Sequence, residues 1–296
     1  MIKTTRARIQ FKGMLGQANH FLITTLIGLN AVENNTAKPG SSLSASWNPR
    51  SVVASARRSR AFVLDMALVR AVDALDAYLS TAYRKPSLFE AASLRSEMDK
   101  AGHSVAKKFR AVCRHDLGPE PLLAALCRLA IDWRNRRVHS LADNELTADD
   151  RMLIEKSGTY IAAEYRGLSV ATMLDNFGGS KEPTLKEAAG LINVMHHVVR
   201  EIDAKLVAQV DMDRLVRESI LVEMCVTTGT QAQWKKAKER CSKLWDAGEK
   251  NKKVPRYLES LGFSSVAPGE SHHGMFEIFA QRTAGETMQF LQENTV

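Results

Sequence analysis

The chain has 296 residues, of which 45% are hydrophobic and 25% charged, and carries a net charge of +8. That length holds one large or two modest domains, and that balance reads as soluble and globular rather than disordered. The apolar stretch His20 to Val32 spans only about 13 residues, too short for a membrane-crossing helix, so the expected compartment is the cytoplasm.

The charge is uneven. Residues 1–60 carry nine Lys or Arg against the single acid Glu33, residues 61–226 balance 22 basic against 24 acidic side chains, and residues 227–263 hold nine against four. A near-neutral centre flanked by basic segments fits a polyanionic partner, for which RNA is the natural choice. It also fits lysines and arginines that only keep the surface solvated.

In chain order, Met1 to Asn30 begins basic (Lys3, Arg6, Arg8, Lys12) and then turns apolar at Leu15, Ala18, Leu22, Leu26 and Leu29. This spacing predicts a helix from about Gly13 to Asn30. Its polar face offers Thr, Asn and Gln rather than Lys, so packing on the core or on a second subunit is favoured over a membrane surface. Ala31 to Ser59 reads as loop, with Asn34-Asn35, Pro39-Gly40-Ser41-Ser42 and Asn48-Pro49. Arg57, Arg58 and Arg60 then cluster where the next helix is expected to start. Cations there oppose the helix dipole, which suits either a solvated start or a phosphate contact.

Phe62, Met66, Val69, Val72, Leu75, Leu79 and Tyr83 keep three-and-four spacing and predict a helix over Arg60 to Arg84, ended by Lys85-Pro86-Ser87. Asp73 and Asp76 lie close to this stripe. Ser87 to Asp116 carries a weaker helical signal ending in Val105, Phe109, Val112 and Cys113, and Leu117-Gly118-Pro119 breaks it. Pro121 then suits the first turn of a strongly helical segment, Pro121 to Ile131.

That segment leads into Asp132-Trp133-Arg134-Asn135-Arg136-Arg137-Val138-His139-Ser140. Arginine supplies a fixed positive fork for phosphate oxygens, and histidine titrates near neutral pH. Together at one spot they are what metal-free cleavage of a phosphodiester needs. On a wheel of about 100° per residue, Arg134 shares the face of Leu123, Cys127 and Ala130, and His139 points about 140° away. Either the helix simply ends on basic residues that suit its dipole, or its last turn swings His139 beside Arg134.

Beyond it, Asp143-Asn144-Glu145 makes a polar turn. Thr147 to Asp150 looks like an N-cap with acids in the first turn of a helix running to about Asn176. Thr184 and Glu187 form a capping box opening a helix to Gln209. His196-His197 on it, and His272-His273 later, lack a second His or Cys three or four residues away, so no metal site is expected. Asp211 to Val226 is a further helix. Thr230 to Glu249 is a basic one, with Trp234, Ala237, Cys241, Leu244 and Trp245 on one face and Lys235, Lys236, Lys238, Arg240 and Lys243 around the rest. The tryptophans fit a core face, and they also fit base stacking. Pro255 to Gly262 and Phe276 to Gln292 are expected to be helical, separated by a loop including Pro268 to Gly274. Cys113, Cys127 and Cys241 sit among apolar residues as reduced thiols. No strand run, Gly-rich phosphate loop, Gly-x-Ser-x-Gly or His-Glu-x-x-His is present, so the expected class is all-α.

Arg134-Asn135-Arg136-Arg137-Val138-His139 resembles the motif of the HEPN (higher eukaryotes and prokaryotes nucleotide-binding) superfamily: an Arg, usually a polar residue after it, and a His after a short gap. Arg134, Asn135 and His139 meet that pattern, and the resemblance covers roughly Arg60 to Gln209. It implies an antiparallel helical bundle over residues 60–209, with an N-terminal basic helix and loop (1–59) and a C-terminal helical extension (210–296). It implies a metal-independent, cofactor-free endoribonuclease of the toxin or anti-phage defence kind. Such an enzyme would act as a homodimer with a composite cleft, under an antitoxin or other regulatory partner. Arg134, Asn135 and His139 would be catalytic, with Arg136, Arg137, Lys235 and Lys236 on the substrate and Asp76 in support. A non-catalytic module gripping RNA or a protein, or an adaptor dimerising through its terminal helices, would share the fold.

Overall fold

The three-and-four apolar spacing resolves into fourteen α-helices, and no strand occurs among the described residues. The computed structural model describes residues 4–37, 47–139, 145–246, 248–263 and 275–293. In chain order the helices are α1 (Arg6–Glu33), α2 (Val52–Tyr83), α3 (Ala92–Ala101), α4 (Val105–Arg114), α5 (Pro121–Val138), α6 (Ala148–Lys156) and α7 (Gly158–Glu164). There follow α8 (Val170–Gly178), α9 (Leu185–Gln209), α10 (Met212–Glu223), α11 (Gln231–Trp245), α12 (Lys250–Ser260), α13 (Met275–Gln281) and α14 (Ala284–Gln292). Among the described residues no helix is long and apolar enough to cross a membrane. The loop expected at 268–274, the turn at 143–144 and His272-His273 lie outside the described residues.

Local chemistry sets most boundaries. Pro121 occupies the first turn of α5, where its missing N–H has no partner to lose. The Thr147 side chain accepts from Asp150 N to start α6. Thr184 and Glu187 form the expected reciprocal box: Thr184 N donates to Glu187 Oε2 at 2.7 Å, and Glu187 N donates to Thr184 Oγ1 at 3.3 Å. Several expected bounds are corrected: α1 begins at Arg6 rather than near Gly13, α12 begins at Lys250 rather than Pro255, and the tail helix expected over Phe276 to Gln292 is the two helices α13 and α14. The helix expected to run on to Asn176 is three helices, interrupted at Ser157 and again where Arg166 (φ 52°) and Gly167 (φ 76°) turn left-handed. The second helix begins at Val52, eight residues before Arg60, with Ser51 Oγ accepting from Ala54 N. Arg57 and Arg60 therefore stand beyond the first turn, and both pair with Glu33 at 3.2 Å. Their hydrogen bonds, Arg57 first, hold the Glu33 carboxyl below its ordinary range.

The chain divides into two compact units. One comprises Met1–Ala7, Ser80–Asp99 and Asp203–Val296. Its core includes Phe89, Val216, Ile220, Trp245, Leu258 and Phe279. Arg214 is its polar hub, donating to Glu90 at 2.7 Å, to Glu218 at 2.9 Å and to the Ser87 carbonyl at 2.8 Å. The Thr5 hydroxyl donates to the buried Asp203 carboxylate. The other unit comprises Arg8–Leu79 and Lys100–Ile202, with Leu15, Leu68, Leu75, Leu129, Trp133 and Met195 fully buried. Here α5 packs on α4 and α6, and it carries the candidate residues.

Candidate functional site

Helix α5 is amphipathic by size as well as by polarity. Ala124, Ala125 and Ala130 let neighbours approach closely, Leu126 and Leu129 are buried beside them, and Trp133 closes the buried face. Its polar side chains are then spent on fixing the helix end. Arg128 forks onto Asp150 at the start of α6, with Nε to Oδ2 at 2.7 Å and Nη2 to Oδ1 at 2.5 Å. Burial pushes the Asp150 carboxyl up, but the Arg128 hydrogen bonds and charge outweigh it and hold the group below the usual Asp range. Trp133 Nε1 donates to the Lys181 carbonyl at 3.0 Å. Cys127 lies inside this packing, and burial pushes its thiol well up, so it remains a neutral apolar side chain.

Helical geometry persists to Val138. His139 is the C-cap, in extended backbone (φ −112°, ψ 108°), and its N–H donates to the Asn135 carbonyl at 2.9 Å. Among the described residues no hydrogen bond, ion pair or ring contact joins His139 to Arg134, and His139 is exposed. Arg134 instead runs along the core face, its side chain 16% exposed. Its Nη2 donates to Asp73 of α2 at 3.2 Å and its Nη1 to Asn135 Oδ1 at 3.1 Å. Its Nε is buried with no hydrogen-bond partner among the described residues. Asn135 thus orients the guanidinium through its carbonyl oxygen.

The neighbouring arginines, expected to grip substrate, have partners inside the protein. Arg137 makes a bidentate pair with the buried Asp65, with Nη2 to Oδ2 at 2.6 Å and Nε to Oδ1 at 2.9 Å, and its Nη1 donates to the Ser180 carbonyl at 2.7 Å. The Asp65 hydrogen bonds raise its pKa above the ordinary arginine value. Arg136 lies over the Phe177 ring, 4.2 Å from its centroid, and donates to the Phe177 carbonyl at 3.0 Å. Since Arg134 meets Asp73 and Arg137 meets Asp65, rising numbers on α5 match falling numbers on α2. The two helices run antiparallel.

Asp76, expected to support the site, is held by Lys108 of α4 at 2.8 Å, and the carboxylate on Arg134 is Asp73. Asp65 is the residue sequence reasoning missed, and Asp73 was passed over in favour of Asp76. Their signal was present: acids on or beside the apolar stripe of α2 need a cationic partner to be tolerated there. Lys235 and Lys236 are exposed on α11, which belongs to the other unit.

His196 stacks edge-on against Phe11. It lines a cavity of 730 Å³ between α1, α7 and α9, together with Leu22, Ile23, Tyr165, Leu185 and Ile192. None of the candidate residues borders it. Among the described residues no group of three or more His, Cys, Asp or Glu side chains could hold a metal ion.

Comparison with protein-family models, with curated proteins and with solved structures finds no match.

Proposed function

We propose that this protein is a metal-independent endoribonuclease of the HEPN type, acting as a toxin-like or defence effector, with Arg134, Asn135 and His139 as its catalytic residues. The observation that carries this reading is the state of Arg134. It is mostly buried and fixed from two sides, yet its buried Nε–H has no acceptor among the described residues. An unsatisfied buried donor costs about 1–3 kcal/mol, and such costs concentrate where function needs a side chain in place. Arg137, three residues on, shows how this helix end satisfies an arginine used for stability.

In the reaction, His139 takes the proton of a ribose 2′-hydroxyl. The 2′-oxygen attacks the adjacent phosphorus, the bond to the 5′-oxygen breaks, and that oxygen takes a proton from an imidazolium. A single histidine at this helix end suits a composite cleft, in which a second protomer's copy supplies the acid. Arg134 stabilises the charge that grows on the phosphoryl oxygens. The Asn135 amide nitrogen has no partner among the described residues and is open to a phosphate oxygen. The products are a 2′,3′-cyclic phosphate and a 5′-hydroxyl, and DNA resists because it lacks the nucleophile.

His139→Ala and Arg134→Ala should each abolish cleavage of RNA with helicity unchanged by circular dichroism. Full activity in either variant would sink the assignment. A second reading has its own support. Arg136 and Arg137 are engaged internally and Asp73 neutralises Arg134, which fits a HEPN-like module that binds RNA or a protein without turnover. Salt-dependent RNA affinity without cut ends would identify it.

A further inference from the structure

The two tryptophans of α11 look alike in sequence and are used differently. Trp245 is 1% exposed and donates Nε1 to the Phe279 carbonyl at 2.9 Å, as a core residue does. Trp234 stands in the first turn, fixed by the Thr230–Gln233 capping box. It is part-exposed, and its indole N–H has no hydrogen-bond partner among the described residues. Gly229, at φ +66°, lies against its nitrogen edge, where an added Cβ would come within 3.4 Å of Nε1.

Trp234 borders an open groove of about 540 Å³ between α11 and α14, with Gln231, Lys235 and Lys238 from the first helix and Met288 and Gln292 from the second. Lys235 and Lys238 are one helical turn apart on its rim. Both are exposed, and neither makes an ion pair or hydrogen bond among the described residues. Lys236 is exposed as well but does not line the groove. The surrounding segment, residues 227–263, carries nine basic against four acidic side chains. An acidic peptide would need the lysines but not the indole. An aromatic wall with free ammonium groups at its rim and amides at its ends matches an unpaired base and its flanking phosphates.

We propose that this groove binds single-stranded nucleic acid, stacking one base on Trp234 and holding adjacent phosphates with Lys235 and Lys238. The site lies in a different unit from Arg134 and His139 and does not depend on cleavage.

The test is fluorescence anisotropy of the full chain with a short, labelled 2′-O-methyl oligouridylate, which has no 2′-hydroxyl to attack. Trp234→Ala should weaken binding about tenfold, and Trp234→Phe, which keeps a ring, should recover most of it. Lys235→Gln with Lys238→Gln should flatten the slope of log affinity against log salt by about 1.4, the share of two phosphate contacts on a single strand. Wild-type affinity in Trp234→Ala would overturn the proposal. So would equal competition by an oligoglutamate of matching charge, which would mark a surface for acidic peptides. RNA cleavage without binding of this probe would remove this site and leave the nuclease reading standing. Binding of the probe, lost in Trp234→Ala, with no cleavage would do the reverse.

Discussion

Arg134 and Arg137 sit three residues apart on the same helix in different environments. Arg137 has a bidentate carboxylate and a carbonyl, whereas Arg134 has a half-exposed carboxylate, an amide and an empty Nε. Arg137→Ala should therefore lower stability by about 2 kcal/mol, discounted from a fully buried pair because the guanidinium is partly exposed. Arg134→Ala should change stability by less than about 1 kcal/mol, since it also removes an unsatisfied donor, yet abolish cleavage. Urea denaturation beside an RNA-cleavage assay checks both, and equal stability losses would remove the distinction. The candidate arginine and histidine were legible in the sequence, but the acid on Arg134 was not. Asp73 and Asp76 are three apart on one helix, about 60° from each other on a wheel, so spacing leaves the choice open. Lys108 on another helix decides it by taking Asp76.

His196 shows a residue-scale pH effect of known sign. Burial first, then the charge of Lys12, the neighbouring His197 and Arg8, hold its pKa below the usual histidine value. The folded state therefore resists protonating it. Its contribution is intact above about pH 6.5, the unfolded value, and is lost as pH falls from there toward the lowered folded value. His196→Gln should flatten the fall in melting temperature over that window. An unchanged pH profile would mean that His196 protonates freely in the fold.

At the scale of elements, caps and stripes carried most of the reading. Pro121, Thr147, and Thr184 with Glu187 begin helices where their local chemistry says they should. What failed were starts and interruptions that depend on distant partners. Arg57 and Arg60 look unfavourable near a helix start, yet Glu33 at the end of α1 pairs with both, so α2 begins earlier than its own residues suggest. Likewise, the apolar pattern runs on past Ser157 and Arg166, where the backbone turns. The Arg128–Asp150 fork fixes the join between α5 and α6. Because the Asp150 carboxyl is held below its ordinary value, the stability it brings is present above the unfolded pKa of about 3.9. That stability is lost as pH falls through the lower folded value. Asp150→Asn should cost about 2 kcal/mol at neutral pH, and the difference from wild type should shrink below about pH 4. A difference that persists in acid would show that the pair contributes through packing rather than charge.

For the whole molecule, an all-helical chain with a pI near 9.3 carries exposed lysines on α11 and α12, as on other helices, and Arg134 and His139 at the end of α5. The helical class was legible because amphipathic spacing is a property of each segment alone. The division into two units was not, since Met1–Ala7 and Ser80–Asp99 join the C-terminal helices through long-range contacts that leave no local trace. The most direct measurement is incubation of the full chain with end-labelled RNA in EDTA, with His139→Ala alongside, and chemical identification of the new ends. Discrete cuts bearing 2′,3′-cyclic phosphate and 5′-hydroxyl ends, absent from the variant, are the predicted result. Cuts that persist in His139→Ala, or that require a divalent metal, would contradict it.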